Sequence, residues 1–475
     1  MSRSNPSPSR QTAVGPDQDL TGSVAAQWNP AIWHSLPSTQ QPDWTGPGIG
    51  WVRESLFALP PLATPTDVDA LLDSLRKVQA GAGFLLQAGD CAEPFGSEAT
   101  LGADRKHRLL GLMATMISRR TDLPVVTVGR LAGQFAKPRS QPTELVDGRH
   151  LPSFRGLIVN GAEPNEIARR VQASRLFDAY HTSHEVFEEL RRLSRQSVHR
   201  SIADAAASGP RSPWWAHAPA VLSTTKRPYG QTTGQGGYWH HNGLWTSHEA
   251  LILDYEEPLT RRDEATGRWY LTSTHLPWVG YRTNNADAAH VAFLSGVANP
   301  IACKVGPNTD PAELIRTCAR LDPDRIPGRL TLISRQGNMM VRERLPQFVR
   351  AVRAAGHPVV WMCDPMHGNT VKTLFGLKTR YYDDIVDELR GFFDVLLELG
   401  EWPGGVHLEV AADDVTECVG GGGPALADLP SAYRSLCDPR LNDEQSLRFA
   451  AEIADLLTAA TGSNADAASL LAGNS

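Results

Sequence analysis

The chain is poor in cysteine and has no long apolar run. Its six cysteines (Cys91, Cys303, Cys318, Cys363, Cys418 and Cys437) are scattered over 475 residues. That is the usage of a reduced, cytoplasmic protein, not of a disulfide framework. No stretch reaches the roughly 18 consecutive apolar residues of a membrane-spanning helix, and Met1-Ser2-Arg3-Ser4-Asn5-Pro6 lacks the apolar centre of a secretory leader. Neither sign of charge dominates: the net charge is −6, with both signs interspersed, which argues against nonspecific nucleic-acid binding. There is no short-period repeat and no second-domain signal. With 41% hydrophobic and 21% charged residues, the chain can bury a large core.

Residues 1–25, rich in Ser, Pro, Gln and Gly, read as a flexible arm. An N-terminal extension follows over 26–80, carrying Trp28, Trp33, Trp44 and Trp51 and a helix over Asp67–Gln79, where Val68, Leu71, Leu72 and Leu75 recur at helical spacing. Residues 81–462 form the catalytic domain and 463–475 a flexible tail. Within that domain, short apolar runs alternate with helical patterns. The strand candidates are Phe84–Ala88, Val125–Val128, Leu157–Val159, Ala250–Leu253, Val291–Phe293, Ile301–Val305, Leu330–Ser334, Val359–Cys363 and Val406–Val410. The helix candidates are Arg105–Ser118, Glu163–Ala173, Ser183–Ala207, Pro311–Arg320, Val341–Ala355 and Tyr382–Leu399. About eight strand–helix units predict an α/β fold closed as a TIM (β/α)8 barrel. Residues 208–246, with Trp239, His240 and His241, break the rhythm as a long decorated insertion.

Four distant stretches each offer one metal-grade side chain beyond an apolar run: Cys91 after Phe84–Gly89, His367 after Val359–Cys363, Glu409 in Val406–Val410, and Asp438 in Cys437-Asp438-Pro439-Arg440. Strand C-terminal ends converge in barrels, so together they suggest one metal centre. A mixed thiol, imidazole and carboxylate set suits Mn, Co, Fe or Zn better than Mg or Ca. Taken singly, each residue reads equally well as core or loop; Asp438 has the weakest local pattern. A second constellation is cationic: Arg130, Lys137 and Arg139 with Ser140, then Arg282, Lys304 and Arg335. Arginine forks and lysine ammoniums at strand ends fit two anionic groups, such as those of phosphorylated substrates. The Gly-rich Val419–Pro424 follows no clear strand and reads as a flexible loop, not a phosphate loop. A metal beside two anion sites permits carbon–carbon bond formation or phosphate ester hydrolysis, and the pattern alone does not choose.

Specific blocks do choose. Trp33-His34-Ser35-Leu36-Pro37, Gln40-Gln41-Pro42-Asp43-Trp44, Gly89-Asp90-Cys91-Ala92-Glu93, Ala132–Ser140, Thr246-Ser247-His248-Glu249-Ala250, Lys304–Asn308, Pro327–Leu332, Cys363–Thr370 and Cys437–Asn442 span most of the chain. Together they resemble the class II (plant and actinobacterial type) 3-deoxy-D-arabino-heptulosonate 7-phosphate (DAHP) synthases. The resemblance implies a TIM barrel with a divalent ion, Mn²⁺ or Co²⁺, on Cys91, His367, Glu409 and Asp438. It implies phosphoenolpyruvate held by Arg130, Arg282, Lys304, Arg335 and the backbone around Tyr281, with Trp278 also substrate-binding, and the phosphate and carbonyl end of erythrose 4-phosphate held by Lys137, Arg139 and Ser140. Lys137, Glu249, Lys304, Arg335 and His367 form the expected catalytic set. In the family reaction C3 of phosphoenolpyruvate attacks the aldehyde, water adds at C2, and phosphate leaves. A homo-oligomer, most simply a dimer, is expected, with no membrane or nucleic-acid partner. The family's disulfide would correspond here to Cys91 and Cys437; two reduced thiols are the alternative.

The sequence also departs from the family. Trp278-Val279-Gly280-Tyr281-Arg282-Thr283 carries Tyr281 where the family motif has glutamate, Leu157 replaces an aspartate after Arg155-Gly156, and Met340 stands where a lysine is usual. Residues 208–246 do not match the family's central segment, so feedback by phenylalanine or tryptophan is expected to be weak or absent. Three readings stay open: the ordinary condensation or a close analogue such as an amino sugar phosphate, the same chemistry on a different aldehyde in a natural-product pathway, or a non-catalytic regulatory paralogue.

Overall fold

The computed structural model describes residues 28–44, 48–146, 148–195, 244–374 and 376–472. The expected arm and most of the insertion, including Trp239, His240 and His241, lie outside the described residues. Eight parallel strands close into a barrel: β1 (Phe84–Gly89), β2 (Val125–Arg130), β3 (Trp245–Glu249), β4 (Leu276–Val279), β5 (Ile301–Val305), β6 (Leu330–Ser334), β7 (Val359–Cys363) and β8 (Pro403–Glu409). Each pairs with its sequence neighbours, and β8 closes on β1. The outer helices are α3 (Ser97–Thr121), α4 (Arg175–Ser194), α5 (Ala289–Ser295), α6 (Pro311–Leu321), α7 (Val341–Ala354), α8 (Tyr382–Glu398) and α9 (Asp443–Ala472), preceded in the extension by α1 (Gly48–Ala58) and α2 (Pro65–Gln79). This is the expected TIM barrel.

Helix α2 begins where the local chemistry directs it. Thr64 Oγ accepts from the Asp67 N–H at 3.2 Å and donates to Asp67 Oδ2 at 2.8 Å, with Pro65 in the first turn. Its apolar face (Leu71, Leu75, Val78) packs into a cluster with Leu85, Val126, Val128, Trp245, Leu276, Ile333, Val360 and Met362. These are inward positions of the strands below the barrel mouth, so α2 plugs the barrel floor. Side chains alternate along a strand, and two residues farther on the same inward face turns polar: Gln87, Arg130, Ser247, Lys304 and His407, all buried. The barrel is therefore apolar below and charged at its C-terminal mouth.

Four sequence expectations change. Val291–Phe293 lies in helix α5, not a strand; a continuous buried apolar run carries no period to separate the two. Leu157–Val159 forms a turn, closed by the Val159 and Asn160 N–H groups donating to Gly156 O at 2.9 and 3.1 Å. The strand expected at Ala250–Leu253 lies just upstream, at Trp245–Glu249. Glu163–Ala173 forms turns, not a helix. Strand β4 escapes sequence reading because Pro277 sits inside it, and proline normally argues against an interior strand. The Gly-rich stretch is tied down: the Gly420 N–H donates to Pro424 O at 3.1 Å, and Gln445 Nε2 donates to Cys418 O and Gly420 O at 2.9 and 2.7 Å.

Candidate active site and metal centre

At the mouth, Gly89 of β1 sits in register with Glu409 of β8 on one side and Arg130 of β2 on the other. Gly89 has no side chain to separate them, so Arg130 Nη2 reaches Glu409 Oε1 at 2.9 Å. A Cβ at Gly89, whose φ is +153, would lie 2.5 Å from Arg130 O. Beyond β1 the chain turns to bury Cys91. The long β8 loop returns as Cys437–Arg440, and the Asp438 N–H donates to Cys91 Sγ at 3.1 Å. That return is anchored by Arg440, whose guanidinium bonds Glu417 Oε1 at 2.8 Å and Asp90 Oδ1 at 2.9 Å.

One ligand atom each from Cys91, Glu409 and Asp438 lies within 4.8 Å of the others. His367 Nε2 joins them 3.1 Å from Glu409 Oε1, and its Nδ1 is 2.8 Å from Asp364 Oδ2. Three of the four residues singled out in the sequence therefore share one group, and His367 meets it through Glu409. Among the described residues a second group of three is formed by Asp364, His367 and His407. The Lys137 ammonium occupies the anionic nest, 2.9 Å from Cys91 Sγ, 2.8 Å from Asp438 Oδ2 and 3.6 Å from Glu409 Oε1. Burial would raise Glu409, but His367, Lys137, Arg380 and Arg130 outweigh it and hold the carboxyl well below its usual range. Burial likewise opposes ionisation of Asp438, and Lys137 leads the cations that hold it low. The Cys91 thiol is pushed well up, first by burial and then by its contact with Cys437. Two committed carboxylates, an imidazole and a thiol gathered around a cation fit a divalent metal, which would also draw the proton from the thiol. Cys91 and Cys437 are both free thiols.

Beside the nest opens a cavity of ≈ 600 Å³ whose lining includes Arg130, Lys137, Arg139, Ser140, Glu249, Trp278, Tyr281, Arg282, Lys304, Arg335 and His367. All nine residues expected to bind substrate line it, and Glu249 and His367 complete the expected catalytic set. Lys304 Nζ pairs with Asp364 Oδ2 at 3.0 Å; burial lowers its pKa while Asp364 raises it. Arg335 Nη2 donates to His367 O at 2.9 Å, and its guanidinium carbon lies 5.1 Å from the centre of the Tyr281 ring. Arg282 Nη2 donates to Ser140 Oγ at 2.8 Å. Arg139 pairs with Glu144, which also accepts from Arg169 Nη1 at 2.6 Å. Burial pushes the Glu249 carboxyl up, and its Oε1 has no hydrogen-bond partner.

The loop from Ala132 to Ser140 is held by Glu93, whose carboxylate accepts from the N–H groups of Ala132, Gly133 and Gln134 at 2.9, 3.0 and 2.7 Å. Sequence reasoning missed several groups. His407 donates from Nδ1 to Gln87 Oε1 at 2.5 Å and accepts at Nε2 from Arg130 Nη1 at 2.7 Å. The alternation that turns Glu409 inward also turns His407 inward, so that signal was present. Asp364 follows β7 directly and could have been found the same way. Arg380 Nη1 binds Glu409 Oε2 at 2.7 Å and Lys378 Nζ binds Asp438 Oδ1 at 2.7 Å; both come from a loop with no strand pattern before it, so no local signal marked them.

A model of the class-II DAHP synthetase family matches residues 28–454. Phospho-2-dehydro-3-deoxyheptonate aldolase of Streptomyces coelicolor is 40% identical over 432 residues, spanning 89% of this chain and 96% of that protein. The enzyme of that name in Mycolicibacterium smegmatis is 40% identical over 436 residues, 89% and 93% of the two chains. The one in Neurospora crassa is 39% identical over 462 residues, 91% and 94%. With the match running from the extension into α9, and with the blocks at the barrel mouth inside it, the chain belongs to the class-II DAHP synthetase family.

Proposed function

We propose that this chain condenses phosphoenolpyruvate with erythrose 4-phosphate, or a close analogue such as an amino sugar phosphate, giving DAHP and phosphate in a metal-dependent reaction. The observation that carries the reading is the junction of the Cys91, His367, Glu409 and Asp438 cluster with one cavity lined by six cations of the expected set. Arg130, Lys304, Arg335 and Arg282 bind the phosphate and carboxylate of phosphoenolpyruvate, with Trp278 and Tyr281 walling the enol. Lys137, Arg139 and Ser140 hold the acceptor's far phosphate and its carbonyl end. Mn²⁺ or Co²⁺ on the four-residue cluster supplies Lewis-acid polarisation of the acceptor carbonyl when bound.

The chain's own residues do the rest. The cations fix C3 of the enol against the aldehyde carbon, which removes most of the entropic cost of the encounter. Glu249, whose carboxyl burial pushes up and which lines the cavity, is the group placed to give the acceptor oxygen its proton as the carbon–carbon bond forms. Water adds at C2 and gives one proton back to Glu249; the C2–O bond to phosphate then breaks as C2=O forms, and the hydroxyl proton goes with the phosphate, which leaves toward the guanidinium groups that bound it. The Tyr281 ring in the wall, stacked on Arg335 where the family motif has a carboxylate, favours a second reading in which the acceptor is a different aldehyde. The test incubates metal-loaded protein with phosphoenolpyruvate and a panel of aldehydes, following phosphate release and product mass. Release with erythrose 4-phosphate is expected. Release only with another aldehyde supports the second reading, and binding without release from any of them contradicts both and points to a regulatory paralogue.

A further inference from the structure

The barrel does not hold the acceptor-side cations by itself. The segment Thr39-Gln40-Gln41 of the extension crosses the mouth and grips three catalytic loops through main-chain groups. Gln40 uses both ends of its amide on one residue: Oε1 accepts from the Arg139 N–H at 2.9 Å, and Nε2 donates to Arg139 O at 3.1 Å. Gln41 repeats the device on the loop after β3, with Oε1 accepting from the Leu253 N–H at 3.0 Å and Nε2 donating to Leu251 O at 2.8 Å. Thr39 Oγ donates to Arg282 O at 3.5 Å. Each glutamine thus mimics a strand partner for backbone that has none. Both flanks of the segment are pinned by indoles: Trp33 Nε1 donates to Glu257 Oε2 at 2.7 Å, and Trp44 Nε1 to Asp254 Oδ2 at 2.8 Å.

The backbone at Gln40 is left-handed, with φ of 62, a conformation that a non-glycine residue adopts only where its surroundings enforce it. Arg155 supplies part of that enforcement by donating to Gln40 O. The main chain on which Arg139 and Ser140 stand is therefore fixed by a residue about 100 positions away that is not among those lining the cavity.

We propose that Gln40 is a positioning residue for the acceptor: its amide sets the Arg139–Ser140 backbone, so Gln40 tunes affinity for the second substrate and not for phosphoenolpyruvate. This rests on the assignment of Arg139 and Ser140 to the acceptor phosphate. The experiment compares Gln40→Gly and Gln40→Ala with the wild-type full-length, metal-loaded protein. Glycine relieves the left-handed strain while deleting the amide, whereas alanine deletes the amide and keeps the strain. Loss of two hydrogen bonds predicts a rise of about tenfold in acceptor KM for both variants, with phosphoenolpyruvate KM within about twofold of wild type. Wild-type acceptor KM in Gln40→Gly, or a parallel rise in both KM values, overturns the proposal. If wild type turns over no aldehyde, the functional reading fails, and the strap is judged with inorganic phosphate titrated into protein saturated with phosphoenolpyruvate. There an affinity weakened about tenfold in Gln40→Gly supports it and an unchanged one overturns it.

Discussion

Glu388 illustrates at the residue scale how the site is braced from behind. Buried on α8, its carboxyl accepts from the N–H groups of Gln336 and Gly337, both at 2.8 Å, and from Asn369 Nδ2 at 2.8 Å. It thereby ties the loop of Arg335 to the loop of His367. Burial pushes this carboxyl up to about 8, against roughly 4.3 in an unfolded chain. The folded state thus retains a proton that the unfolded chain has already released. Its stabilising effect is complete below the unfolded value and disappears as pH rises through about 8. The melting temperature should accordingly fall between about pH 4.3 and pH 8 and level off above that, with a flatter profile in Glu388→Gln, which cannot ionise. Equal slopes for the two proteins would show that Glu388 is already ionised in the fold.

At the scale of elements, the loop after β2 carries the densest load of function and the tightest packing. Gly133 has φ of +151, and a Cβ there would come 2.2 Å from His248 Nδ1. Gly133→Ala must move either His248, which is bonded through Nε2 to Glu256 at 2.8 Å, or the loop bearing Lys137. We expect a loss of about 1–3 kcal/mol in denaturant unfolding together with a large fall in kcat; a variant with wild-type stability and turnover would show that the loop yields freely. Legibility in the sequence also divides by element. Strands such as Ile301–Val305 and Leu330–Ser334 were readable to the residue because each short apolar run is followed by a clear helical pattern, Pro311–Arg320 and Val341–Ala355. Strand β4 was hidden by Pro277, and α5 passed for a strand because all of Ala289–Leu294 is buried and shows no polar face.

For the whole molecule, alternation along converging strands explains why much of the candidate site could be found without coordinates. Cys91, His367 and Glu409 follow or end apolar runs, and a closed parallel barrel brings such ends together whatever their separation in sequence. What the sequence hid came from elsewhere: Lys378 and Arg380 come from the loop between β7 and α8, and Gln40 belongs to an extension whose contacts with the barrel no periodicity encodes. The family blocks included Gln40-Gln41 and Asp438, and the geometry gives a physical reason for each: two amides paired with backbone, and a carboxylate delivered to a buried thiol.

The central claim is that four distant residues form one cation site, and titration of Mn²⁺ into chelator-treated protein tests it most directly. One ion per chain is expected, with affinity weakened by at least on the order of 100-fold in Cys91→Ser, the upper range for losing even a supporting group. Absence of binding, or equal affinity in wild type and Cys91→Ser, would contradict the account.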